Sequence, residues 1–314
     1  MTVLALAGGV GGAKLAFGLA RNLPPDKLII AVNTGDDFTH LGLRICPDLD
    51  TVMYTLAGIA NPDSGWGIKD ESWNVIAALE RLGGPAWFRL GDKDIATHLE
   101  RTRLLADGKP LSEVTGHLCR RLGIKHRIVP ATDDRVSTIV QTEDGPLPFQ
   151  DYFVRLQCNP VVRGFEFSGA NRAAPSPVLS DAFENGSIEA VILCPSNPFV
   201  SIAPILAVPH IRETIAADNL PVWVVSPIVG GSAIKGPTAK MMRELAIEPS
   251  CFSIAEHYRN LATGIVIDTV DADTATQIDT TGLQVMVTDT VMTTDDDKVR
   301  LAREVLDGAG LSHV

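Results

Sequence analysis

The segment from Gly8 to Lys14 packs four glycines and a lysine into seven residues (GGVGGAK). Glycines let the backbone approach an anion without side-chain obstruction. If a helix opens there, its free N–H groups and dipole favour a phosphate. The loop fits neither common nucleotide fingerprint. A Walker A loop needs Ser or Thr after its lysine, and Leu15 follows Lys14; a GxGxxG run begun at Gly9 would put Lys14 at its third glycine. A tight turn packing helix on strand is the plainer alternative. Further along, Asn33-Thr-Gly-Asp-Asp37 and the Asp48 and Asp50 of PDLD give four carboxylates within fifteen residues. Beside a phosphate loop, such a set suits magnesium shared between protein and phosphate oxygens. The alternative is that Asp36 or Asp48 caps a helix, and Asp48 is read that way. Asp50, one residue into the apolar run 49–59, is read as functional. Ser196 and Asn197 in Cys194-Pro-Ser-Asn-Pro198 offer a hydroxyl and an amide for ribose, phosphate or base, as Ser226-Pro-Ile-Val-Gly-Gly231 also does. Either loop is equally readable as a proline-shaped turn. Trp87-Phe-Arg-Leu-Gly-Asp-Lys-Asp94 and Asn61-Pro-Asp-Ser-Gly-Trp-Gly67 combine rings, glycines and charge in a way that suits a planar polar substrate, or join a helix to a loop.

These groups act together only if the fold converges on them. Thr2–Ala7 and Lys27–Asn33 are apolar on both faces and read as buried strands, with helical spacing over Ala13–Asn22 between them. This is a βαβ unit, whose crossover is almost always right-handed. Buried-strand runs return at Ile188–Cys194, Pro221–Ser226, Gly264–Asp268 and Leu283–Val287, separated by helical stretches. The expected fold is therefore α/β: a doubly wound, mostly parallel Rossmann-like sheet. The middle reads differently. Four helical stretches (48–60, 71–82, 93–106, 112–122) precede short strands at Arg127–Val129, Val136–Gln141, Leu147–Phe149 and Val161–Phe167, which suggest antiparallel hairpins. Residues 1–41 and 171–314 are thus expected to form the core, with 42–170 an inserted helical and small β region.

Composition narrows the function classes. With 314 residues, 45% hydrophobic, the chain can bury a sizeable core, and global disorder is excluded. A net charge of −11 argues against nucleic acid or an anionic membrane as main partner, though not against a nucleotide. The 5% aromatic content is poor for stacking single strands. Five scattered cysteines without a CxxC pair, and histidines without HxxxH spacing, read as reduced thiols in a cytoplasmic protein without a zinc site. The uncharged run 190–209 holds four prolines, so a buried strand, a loop and a short helix explain it better than a membrane span.

Taken in order, AGGVGGAKL, NTGDD, PDLDTVMY, WGI, WFRLGDKDIATHLERT, DDRVSTIV, FQDYFV, PSNPFVSI and VSPIVGGSAIKGP resemble the 2-phospho-L-lactate transferases, with matches spread over most of the chain as far as residue 237. That family makes the deazaflavin coenzyme F-420. The resemblance implies transfer of a phosphorylated three-carbon acid from a guanosine-diphosphate-linked donor to the ribityl hydroxyl of 7,8-didemethyl-8-hydroxy-5-deazariboflavin. GMP leaves, magnesium is required, and the acid is lactyl, enolpyruvyl or glyceryl. It also implies that Asp50 and Arg89 contact the deazaflavin, and that Gly9, Gly11, Gly12, Lys14, Ser196 and Asn197 hold the donor; Asn33 is expected among the substrate-binding residues. Asp50, helped by Asp36 or Asp37, would hold the Mg2+. A homodimer is the base-rate expectation. Two rival readings predict other behaviour. A nucleotide-sugar-binding regulator of the gluconeogenesis-factor type would bind without turnover, and an NAD-linked oxidoreductase would carry a complete GxGxxG.

Overall fold

The apolar runs assemble into one seven-stranded sheet in which every pairing is parallel. In this computed structural model, which describes residues 2–217 and 220–311, the strands are β1 (Thr2–Ala7), β2 (Leu28–Val32), β3 (Arg127–Pro130), β4 (Ile188–Leu193), β5 (Val222–Val225), β6 (Gly264–Asp268) and β7 (Gln284–Thr288). Their spatial order is β7-β6-β5-β4-β1-β2-β3. Every residue of β1, β2, β5 and β6 is buried, because helices cover both faces of the sheet. Alternation assigns the side chains: Val3, Ala5 and Ala7 face one apolar layer, Leu4 and Leu6 the other. The expected doubly wound Rossmann-like fold is what the chain adopts.

Five helices shape the site: α1 (Gly9–Asn22), α2 (Pro47–Leu56), α3 (Asn74–Arg81), α4 (Asp92–Ala106) and α5 (Leu111–Arg121). Helix α1 packs between α2 and the C-terminal helix Asp295–Gly308, joining Leu15 and Leu19 to Leu49, Val52, Leu301 and Val305 in one layer. The C-terminal helix starts at a capping box, in which Thr294 Oγ1 accepts from Asp297 N and Asp297 Oδ2 accepts from Thr294 N.

Two features depart from the sequence expectation. Arg127–Pro130 forms no antiparallel hairpin; it runs parallel to β2 and extends the central sheet. Its Ile128 and Val129 are buried on opposite faces, so a four-residue edge strand carries too little pattern to declare its partner. Part of the 42–170 region therefore belongs to the core sheet. The second feature is an unforeseen hairpin, Phe38–His40 with Leu43–Ile45, directly after β2. The expected antiparallel unit is otherwise present as Gly145–Pro148, Ser137–Thr142 and Val162–Ser168, with Ser137–Thr142 central. No single helix among the described residues is long and apolar enough to cross a membrane. In the uncharged run, Phe199, Val200, Ile202 and Ile205 are committed to the core.

Candidate active site at the switch in strand order

After β1 the chain builds outward through β2 and β3, and after β4 through β5 to β7. The carboxyl ends of β1 and β4 therefore flank the switch point, where open α/β sheets bind ligands. Two of the loops singled out by sequence meet there. Ser196 Oγ donates to Gly8 O at 2.8 Å and accepts from Gly8 N at 3.2 Å, locking the glycine loop to the loop after β4.

The glycines divide by role. A side chain at Gly11 would run into the Pro195 carbonyl, and one at Gly12 would lie 2.5 Å from Ser196 Oγ, so these two serve the packing of the loops. Gly9 differs: its φ of +64° demands glycine, and nothing lies within 4 Å of where a side chain would project. It is the open face at the N-terminus of α1. Lys14, a turn further on, is half buried and donates to Met292 O at 2.5 Å. Burial, then the nearby Lys298 and Lys235, lower its pKa. Asn197 accepts from Phe199 N and Val200 N and so caps the Pro198–Ile202 turn.

The carboxylates are arranged around Asn33. Its Nδ2 donates to Asp36 Oδ1 at 2.7 Å, Asp48 Oδ2 at 3.0 Å and Val200 O at 3.1 Å, and its Oδ1 accepts from Gly35 N. Asp48 does not cap its own helix; its Oδ1 accepts from Gly9 N at 2.7 Å. Sequence had no signal for this, because the contact joins loops 39 residues apart. Burial and then the Asp48 charge push Asp36 well above the usual carboxylate range. Burial lifts Asp48 to about 6 despite its bonds from Asn33 and Gly9. The two share one amide donor, and among the described residues neither has a cationic partner.

Asp37 and Asp50 each face a guanidinium instead. Arg44 Nη2 lies 3.2 Å from Asp37 Oδ2, and burial still lifts Asp37 to about 7. Arg101, 1% exposed, donates through Nη1 to Asp50 Oδ2 at 3.1 Å and through Nη2 to Asp50 Oδ1. The same Nη1 reaches His98 Nδ1 at 3.1 Å. Arginine can only donate, so His98 carries its ring proton on Nε2. Its 3.6 Å approach to Asp50 is then no ion pair. Desolvation holds the His98 pKa down at about 4. Arg101 and His98 escaped the sequence reading, although Asp94, His98 and Arg101 fall at i, i+4 and i+7, one stripe of α4. The charge of Asp37 is felt by Asp36 and that of Asp50 by Asp37, while among the described residues no three His, Cys, Asp or Glu side chains are grouped to hold a metal ion by themselves.

Arg89 is exposed, with its guanidinium 4.6 Å above the Trp73 ring. Beside the hairpin after β2, Phe38, His40, Trp87 and Phe88 pack edge-on and tilted, with centroids 4.8–6.3 Å apart. Buried atoms without a hydrogen-bond partner gather here: Asp37 Oδ1, His40 Nε2, the Tyr54 hydroxyl and Arg101 Nε. Buried polar atoms are rarely left unpaired, and a cluster of them marks a place where a polar ligand or water completes the structure.

The comparisons with known proteins agree with this architecture. The family described as 2-phospho-L-lactate transferase CofD matches residues 3–306. A phosphoenolpyruvate transferase of Streptomyces coelicolor is 43% identical over 98% of this chain and 97% of its own length. A 2-phospho-L-lactate transferase of Methanopyrus kandleri is also 43% identical, over 96% of this chain and 95% of its own. Among solved structures, a Bacillus halodurans protein superposes with a TM-score of 0.62 at 14% identity, covering 97% of this chain and 99% of that one, which is a likeness of fold. The chain belongs to the 2-phospho-L-lactate transferase family and is a transferase of coenzyme F-420 biosynthesis.

Proposed function

We propose that the protein transfers a phosphorylated three-carbon acid from a guanosine-diphosphate-linked donor to the ribityl hydroxyl of the deazaflavin, with GMP leaving. The observation that carries this reading is the junction at the switch point. The open Gly9 end of α1 meets the Asp36–Asp48 pair there, Gly9 N donating to Asp48, and among the described residues neither carboxylate has a cationic partner. The acid is lactyl, enolpyruvyl or glyceryl, and relatives bearing two of those chemistries in their names are equally similar to this chain.

The chemistry is attack by a primary alcohol on the phosphorus next to the acid, a reaction that rests on positioning and charge neutralisation. The first amides of α1 and Lys14 offset the diphosphate charge. Magnesium commonly binds through one or two carboxylates together with substrate phosphates. Asp36 and Asp48 fit that role better than Asp37 and Asp50, which already face Arg44 and Arg101. When bound, the ion would neutralise phosphate charge. Asp50, held by Arg101, orients the acceptor alcohol, and Arg89 on Trp73 offers a cationic, planar edge for the deazaflavin. Incubation with deazaflavin, magnesium and each of the three guanylated acids, read by mass spectrometry, tests the proposal. Product with one donor and release of GMP is expected. Tight donor binding with no product from any of the three would favour the regulator.

A further inference from the structure

Helices α2 and α4 face one another with five polar side chains, 6% exposed or less, between them: Asp50 and Tyr54 on α2, Asp94, His98 and Arg101 on α4. The i, i+4 and i, i+4, i+7 spacings put each set on one face of its helix. Their partners are unequally divided. Both Asp50 oxygens accept from Arg101, and so does His98 Nδ1. Glu71, at the rim, accepts from the backbone amides of Ser72, Lys93 and Asp94. Asp94 is the exception. Among the described residues its carboxylate accepts no hydrogen bond from a backbone amide and has no ion-pair partner; the Tyr54 hydroxyl beside it is what stabilises its charge.

Its position is as telling as its lack of an ion-pair partner. A Cβ placed on Gly67 would lie 3.2 Å from Asp94 Oδ2, and one on Gly65 would lie 2.7 Å from Val10 Cγ1. One short loop thus touches Asp94 at one residue and the first turn of α1 two residues earlier. Two residues of chain span at most about 7 Å. The Asp94 carboxylate and the first turn of α1, which opens the loop assigned to the donor diphosphate, thus lie against the same short loop, Gly65 to Gly67.

Resting on the transfer reaction proposed above, we infer that Asp94 is a catalytic residue, the general base that takes the proton from the attacking ribityl hydroxyl. The hydroxyl O–H bond breaks as its oxygen bonds to the donor phosphorus, and the proton passes to the Asp94 carboxylate. The bond from phosphorus to the GMP oxygen breaks, and its electron pair leaves on GMP. Asp94 then returns its proton to water. The neighbours suit Asp94 to the task. Burial, then the Asp50 charge and that of Glu71, lift its carboxyl to about 7 against the pull of Tyr54 and Arg101. A base whose pKa lies near the working pH transfers protons most effectively. Asp50 and His98, both tied to Arg101, are poorer acceptors.

The test uses the full-length protein, with Asp94→Asn and Asp94→Glu, scoring product by mass spectrometry across pH 5.5–8.5. Loss of a general base typically costs about 10²–10⁴-fold. Asp94→Asn should lower kcat by that factor, with the donor KM within about threefold and a melting temperature near wild type. Wild-type kcat should rise with pH through an acidic limb near 7 that is missing from the residual activity of Asp94→Asn, and Asp94→Glu should recover part of the rate with a limb of its own. A folded Asp94→Asn with near-normal kcat overturns the assignment. If that variant does not fold, a wild-type kcat that is flat from pH 5.5 to 8.5 overturns it equally. Absence of product from wild type with every donor overturns the transfer reading and the base with it, whereas undiminished product from the variant removes the base alone.

Discussion

Arg101→Met isolates the contact that matters most to the placement of Asp50. Arg101 is 1% exposed and Asp50 6%, so the ion pair lies out of reach of solvent screening. Methionine keeps most of the aliphatic stem and its packing but removes the charge and the N–H groups directed at Asp50, the Arg44 carbonyl and His98. Removing one partner of a buried pair costs about 3–5 kcal/mol, because the other charge stays desolvated. At about 2 °C per kcal/mol for a chain of this size, melting should drop by roughly 6–10 °C. The assay is thermal and urea unfolding of wild type, Arg101→Met, Asp50→Asn and the double variant. The double variant removes both charges, so it should be more stable than the sum of the singles predicts by about 1–3 kcal/mol. An Arg101→Met protein that melts within 2 °C of wild type, with additive singles, would refute the claim that this pair fixes Asp50.

The other predictions concern the neighbouring carboxylates and glycines. Asp37 and Asp94 titrate near 7 and Asp36 is raised well above its usual range, so the folded state keeps protons that the unfolded chain has released. Stability must therefore fall as pH rises through those values. His98 acts oppositely, losing stability as pH falls from about 6.5 towards its folded value of about 4. Urea midpoints should decline between pH 7.5 and 8.5, where His98 is almost wholly neutral in both states, and millimolar magnesium should restore part of the loss; a midpoint rising over that window contradicts the buried-carboxylate account. Gly11→Ala should cost about 1–3 kcal/mol by overpacking against Pro195. Gly9→Ala should cost about 1–2 kcal/mol for its left-handed φ, and in addition weaken GDP binding measured by calorimetry; equal GDP affinity in both variants would deny Gly9 its role. Lys14→Ala should raise the donor KM or lower kcat, and unchanged steady-state constants would remove it from the phosphate site.

Sequence reading succeeded where a signal was local and repeated. Unbroken apolar runs such as TVLALA and LIIAV can only be strands buried on both faces, and the glycine loop between strand and helix located the switch point. It failed where partners are distant or elements short. Arg127–Pro130 has four residues and no alternation to reveal its parallel neighbour. Asp48 resembles a cap because its position in the first turn of α2 is a cap-like position, whereas its bond to Gly9 exists only after the loops meet. Gly11 and Gly12 read as phosphate contacts, and the sequence does not show that Pro195 and Ser196 also require them to lack side chains. The Asp94–His98–Arg101 stripe was visible in principle at helical spacing. It went unread because charged residues on a helix usually face solvent, and only the opposing Asp50 makes burial affordable.

The parallel pairing of β1 with β4 has a consequence for how the chain is made. Val3 to Leu6 lie against Ala190 to Leu193, so the inner edge of β1 has no partner until the ribosome has added the residues up to Leu193. At roughly 5–20 residues per second, the nascent chain carries an apolar, unpaired strand edge for about 10–35 s. Such an edge is a template for pairing with another chain. Fragments that end before Ile188 should therefore self-associate where the complete chain folds, and crowded synthesis of this protein should depend on chaperones that shield its first six-residue strand.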